Sequence, residues 1–93
     1  MASSSYGKME VEKFNGSNFE LWKLKMEDFL EDHDLWDVTS LDVRLTKISQ
    51  ADWDLKDQKA KSLIRLYLAD LVLLNVLHEK TTNSLWTQLG SVY

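Results

Sequence analysis

Four tryptophans, Trp22, Trp36, Trp53 and Trp86, stand in a 93-residue chain that has no cysteine and no proline. Each falls where an apolar face of helical period needs a large anchor, and no proline interrupts the helices that would carry those faces. A chain of this length makes one core, burying about 60 to 65% of the surface its unfolded form exposes. Net stability is then about 5 to 10 kcal/mol, so losing one anchor, at about 3 to 5 kcal/mol, can unfold the domain. The expected fold is all-α: a compact orthogonal bundle of four to five helices over residues 14–93, preceded by a flexible segment over 1–13.

The periodicity places the helices. Residues 1–13 are polar, apart from an alternation of Met9 and Val11 with Glu10 and Glu12 that suits a short extended piece. Ser17, with Glu20 three positions on, predicts the capped start of a helix over about 18–32. In it Phe19, Trp22, Met26, Phe29 and Leu30 share one stripe. Leu35, Trp36 and Val38 suit a single turn packed under that helix, and residues 39–50 form a loop with Leu41, Val43, Leu45 and Ile48 tucked inward. Ser49 and Asp52 start a long helix over about 50–69, with Trp53, Ala60, Ile64, Tyr67 and Leu71 on one face. Its pairs Asp52 with Lys56 and Asp57 with Lys61 have the i, i+4 spacing of a solvated face. Asp70 caps a third helix through about 78 that is apolar nearly all round and is therefore expected at the centre. Thr81 or Thr82 caps a last helix carrying Leu85, Trp86, Leu89, Val92 and Tyr93. That stripe runs to the end without a Gly or Pro stop, as expected of a module cut from something longer.

The chemistry of catalysis is sparse. The two histidines, His33 and His78, follow different helices and share no ligand spacing, so they read as residues that favour helix C-terminal dipoles. Glu27, Asp28, Glu31, Asp32 and Asp34 are dense but lack the regular pattern of a calcium loop, and they read as a hydrated surface. Three glycines cannot build a phosphate loop, and Gly16 reads as a turn. Lys56, Lys59, Lys61 and Arg65 give the long helix a basic side, but Asp54 and Asp57 interrupt it. With 15 acidic and 11 basic residues and a net charge of −4, unaided binding to nucleic acid or anionic lipid is not expected. No catalytic residue, metal ligand or cofactor is expected. Without cysteine the chain suits a reducing compartment such as the cytoplasm. No apolar run nears the roughly 20 residues of a membrane span, and the first residues, Met1 to Ser5, lack the blocks of a signal peptide.

One set of residues does not fit the core stripes. Leu21 and Leu24 lie on the far side of the first helix, beside Asp28, and Leu55 and Leu66 flank the polar side of the long helix. These five are candidates for an assembly interface; another subunit and the N-terminal segment are equally good covers for the leucines.

The segment Lys13-Phe14-Asn15-Gly16-Ser17-Asn18-Phe19-Glu20-Leu21-Trp22, followed by Met26, Leu30 and Leu35-Trp36-Asp37-Val38, resembles the start of the Gag polyprotein of copia-type (Ty1/copia) long-terminal-repeat retrotransposons, especially plant ones. Trp53, Asp57 to Ala60, Ile64, Leu66, Leu68-Ala69-Asp70, Val76, Thr81 to Leu89 and Tyr93 resemble the family's next segment, in order and at similar spacing. The resemblance implies a non-enzymatic N-terminal capsid lobe that packs beside copies of itself, or of other Gag chains, in a virus-like particle. A domesticated adaptor or an inhibitor that caps Gag lattices is the alternative it leaves open. A second capsid lobe and a zinc knuckle for RNA, parts of the family pattern, are not in these residues, so RNA is expected as an indirect partner only.

Overall fold

The computed structural model describes residues 11–93, and within them the chain is a compact bundle of five helices without a named strand. The helices are α1 (Phe19–Asp32), α2 (Trp36–Ser40), α3 (Gln50–Leu66), α4 (Asp70–Leu74) and α5 (Thr82–Val92). The short α2 is the keystone, packing on α1, α3 and α5, while α3 also packs on α5. The expected extended piece at Met9 lies outside the described residues. Val11, within the segment expected to be flexible, is buried in the core.

Helix α1 begins one residue later than its expected cap. The Asn15 side chain accepts a hydrogen bond from the Ser17 backbone N–H at 3.0 Å, and Gly16 takes a left-handed φ of 103°, so the chain turns before Ser17 can cap. Asn18 becomes the N-cap in left-handed conformation, φ 58°, and no side chain satisfies the first N–H groups; the expected Ser17–Glu20 box does not form. The other end is well closed. Asp34, also left-handed at φ 58°, lets its own N–H reach Glu31 O and the Leu35 N–H reach back to Leu30 O at 2.8 Å, a Schellman arrangement. Leu30 and Leu35 are both buried, so this cap delivers the chain directly into α2.

In α2, Thr39 is fully buried and its hydroxyl donates to Leu35 O at 2.8 Å. After α2 only Leu45 and Ile48 pack against the core. Leu41 and Val43, also expected inside, are exposed, and Arg44 between Val43 and Leu45 donates to the carbonyls of Leu45 and Ile48.

Helix α3 starts as expected, with the Ser49 hydroxyl accepting from the Asp52 N–H at 3.1 Å. It stops at Leu66, three residues short of expectation, because Phe14 claims the next backbone groups. The Phe14 N–H donates to Tyr67 O at 2.8 Å and Phe14 O accepts from the Ala69 N–H at 2.9 Å, making an isolated parallel bridge between Phe14 and Leu68. A helix cannot continue through residues whose carbonyls and amides are paired with an extended segment.

That interruption also reshapes α4. Its N-cap is Ala69 rather than Asp70, it ends at Leu74 instead of about residue 78, and the chain then tightens into turns through Val72 and Leu73 carbonyls. It is not central. Only Val72 and Val76 are buried, with Leu73 packed partly behind them, while Leu71, Leu74 and Leu77 are 79%, 62% and 45% exposed. Helix α5 is capped by Thr81 in a reciprocal box with Ser84, and it buries Leu85 and Leu89 completely. Val92 and Tyr93 at its end are partly exposed, though the Tyr93 ring meets Phe14 edge-on at 5.0 Å.

Of the expected core residues, Trp22, Met26, Leu30, Trp53, Ala60, Ile64, Leu85 and Leu89 are buried, while Phe19, Phe29, Trp36, Tyr67 and Trp86 are partly buried against them. Phe14, only 2% exposed, joins an aromatic run in which it stacks on Trp22 at 5.2 Å and Trp22 meets Trp86 at 5.8 Å. Trp22 Nε1 is buried without a hydrogen-bond acceptor among the described residues, which makes the ring's polar corner a local cost.

Candidate interaction surface

The charged residues of α3 serve the fold first. Lys56 donates to Asp37 at 2.7 Å and stands 3.6 Å from Asp34, so it ties α3 to the α1–α2 corner instead of pairing with Asp52. Asp57 accepts the Thr82 N–H at 2.9 Å, and its backbone carbonyl accepts the Thr82 hydroxyl at 2.7 Å. Its expected helical partner, Lys61, instead donates to Lys80 O at 2.6 Å. For Lys56 and Asp57 a neighbouring element offers a fixed partner in a half-buried site, and this outcompetes a mobile surface pair worth a few tenths of a kcal/mol; the Lys61 bond is exposed. Two of the four basic residues on that side of α3, Lys56 and Lys61, are therefore engaged within the fold. Lys59 is exposed and has no carboxylate within ion-pair distance among the described residues.

The two histidines are separated as their helices are. His33 caps α1 and its Nδ1 donates to Phe29 O at 2.8 Å, while His78 is exposed in the turn after α4. Among the described residues no three His, Cys, Asp or Glu side chains converge as metal ligands. None of the described helices is long and apolar enough to cross a membrane.

The outer surface carries several exposed large apolar side chains. Leu21 and Leu24 are 56% and 57% exposed, and Asp28, one turn beyond Leu24, is exposed on the same side of α1. Glu20 and Glu31 share that side, since residues spaced by three, four, seven and eleven positions fall together on a helix. Leu55 and Leu66 are 62% and 65% exposed on α3, on the side that also carries Lys59 and Ser62. The α1 and α3 sets thus form two separate stripes. The second borders a shallow, mostly apolar groove of about 440 Å³ lined by His33, Gln58, Lys59, Ser62, Leu63 and Leu66. A sequence reading finds the leucines from helical phase but not the groove, which exists because the C-terminal end of α1 lies against α3. It also misses Leu71, Leu74 and Leu77, whose all-round apolar pattern points inward when α4 is taken as a long helix.

A family model described as a domain of unknown function, DUF4219, matches residues 14–40, the stretch from the Phe14 bridge through α2. Over 88 residues, 92% of the chain, the sequence is 41% identical to the Retrovirus-related Pol polyprotein from transposon TNT 1-94 of Nicotiana tabacum. The chain is similar to the N-terminal region of a copia-type retrotransposon polyprotein. It spans 7% of the tobacco polyprotein's length, and the matched region is the N-terminal part, not the enzymatic domains. No solved structure matches it significantly. Within this copia-type region, Phe14, Trp22 and Trp36 fall inside the stretch that the family model also matches, and the structure gives all three the role of aromatic packing.

Proposed function

We propose that the chain is a non-enzymatic, Gag-like N-terminal capsid lobe whose function is to associate with copies of itself in the particle of a copia-type element. The observation that carries this reading is the 41% identity to the N-terminal region of a copia-type polyprotein, which extends over 92% of the chain and so includes most of the helical lobe. The chemistry of the surface supports it. His33 closes the end of α1, and Asp37 and Asp57 tie elements together, while large apolar side chains remain exposed on α1, α3 and α4. A net charge of −4 argues against RNA contact through this lobe. No cofactor enters this function, and the cytoplasm is its proposed site.

The test is association measured on the chain alone and on the chain joined to the polyprotein segment that follows it. Sedimentation velocity should show concentration-dependent self-association of the lobe, and electron microscopy should show particles or ordered assemblies of the longer form. A strict monomer in both forms overturns the capsid reading.

A further inference from the structure

Copies of this chain have two exposed apolar stripes of different charge, and the difference selects how they pair. On α1, Glu20, Leu21, Leu24, Asp28 and Glu31 occupy one exposed sector with three carboxylates, and Lys25, one turn from both Leu21 and Asp28, brings a single cation to its edge, so the sector is net acidic. Pressing this sector against its own copy would bring carboxylates together, so it is unsuited to a two-fold, self-complementary contact. The groove beside α3 has the opposite character. Its walls are Leu63 and Leu66 with the aliphatic parts of Gln58 and Lys59, and its lining contains no carboxylate. Asp32 stands at the rim, 3.9 Å from His33, but among the described residues Lys59 has no such neighbour.

Building on the capsid reading, we propose a head-to-tail contact in which the acidic leucine stripe of α1 on one copy occupies the groove between α3 and the end of α1 on the next. Leu21 and Leu24 fill the apolar groove, and Asp28 or Glu31 meets the Lys59 ammonium group. The second copy is the occupant because the two surfaces complement each other in both respects: protruding leucines with an apolar depression, and a net acidic sector with an ammonium group that no described carboxylate neutralises. Because the two faces differ and are separate on each chain, every copy can use both at once. Such a contact propagates into a ring or an open array instead of stopping at a dimer.

Charge reversal on each face tests the pairing with the full chain. Asp28→Lys and Lys59→Glu are both exposed substitutions, and thermal unfolding within a few degrees of the parent verifies that each variant is folded. Each single variant should associate about ten-fold more weakly than the parent, corresponding to about 1.4 kcal/mol. An equimolar mixture of the two singles should recover association, since the cation introduced on α1 of one variant meets the carboxylate introduced on α3 of the other. The D28K/K59E double variant should recover it within one chain. If both singles associate like the parent, or if the singles weaken and neither mixture nor double variant recovers, this pairing is wrong. In the first case association proceeds elsewhere, for example through Leu71 and Leu74, and the capsid reading stands. A parent chain that stays monomeric, alone and joined to the following segment, overturns both.

Discussion

Two junctions hold this lobe together, and they are made differently. At the α3–α5 junction, polar side chains do the joining: Asp57 receives the Thr82 N–H, the Thr82 hydroxyl returns to Asp57 O, and Asn83 donates to Thr39 O on α2 at 3.0 Å. At the Phe14–Leu68 junction, the backbone does it, through two hydrogen bonds flanked by a buried aromatic cluster. The polar junction leaves its helices as their own caps define them. The backbone junction overrides local preference, cutting α3 at Leu66 and confining α4 to five residues. Helix boundaries here are local where side chains make the contact and non-local where the main chain does.

If the second junction is the stronger anchor, Phe14→Ala should be the most damaging single substitution at either one. Phe14 is fully inside the fold and its ring touches Phe19, Trp22 and Tyr93 at centroid distances of 5.4, 5.2 and 5.0 Å. Removing it should cost about 3 to 5 kcal/mol, read as a lower urea midpoint with the slope unchanged. Asp57→Ala, at the polar junction, should cost less, about 1 to 3 kcal/mol, because it strands the Thr82 N–H in a buried position. A double-mutant cycle with Thr82→Val should return a coupling energy above about 0.5 kcal/mol. The comparison breaks if Asp57→Ala proves more costly than Phe14→Ala.

The same division decides what could be read from the sequence. Ser49 with Asp52 and Thr81 with Ser84 are contained in single turns, so the starts of α3 and α5 were legible, as was the buried stripe of α1. Ser17 misled because Asn15 and Gly16, just before it, make a competing turn that local capping rules do not weigh. The ends of α3 and α4 depend on Phe14, distant in sequence, and no period within 50–78 signals it. Off-stripe Leu21, Leu24, Leu55 and Leu66 were legible because helical phase alone decides which side a residue takes. The groove at His33 and Leu63 needs two helices already in place. Lys56 and Asp57 show the same limit, since both have acceptable partners four residues away and better ones across the fold.

Lys56 offers a smaller test of the polar side. Its side chain and that of Asp37 are each 21% exposed, whereas Asp34 is 96% exposed and adds little. Lys56→Met keeps the aliphatic stem but leaves Asp37 without its cation, and should cost about 1 kcal/mol, the upper part of the range for exposed pairs. A companion Asp52→Asn should change stability by less than half of that in the same urea series, because the i, i+4 pair it would remove is not formed. Equal losses from the two would mean that Lys56 divides its time between α2 and its own helix.

The smallest effect belongs to the corner that the backbone junction pushes outward. Leu71 and Leu74 are 79% and 62% exposed, so they contribute little to the core that Val72 and Val76 make on the opposite side of the same short segment. Leu71→Ser and Leu74→Ser should each change unfolding free energy by no more than about 0.5 kcal/mol, with helix propensity accounting for part of that. Val72→Ser, one position away, supplies the contrast: it puts a hydroxyl into a fully enclosed site and should cost several times more. A loss above about 2 kcal/mol for Leu71→Ser in dilute, monomeric protein, well beyond the range for a surface site, would mean that the folded chain covers this corner. The outward turn of α4 that follows from the Phe14 bridge would then be wrong.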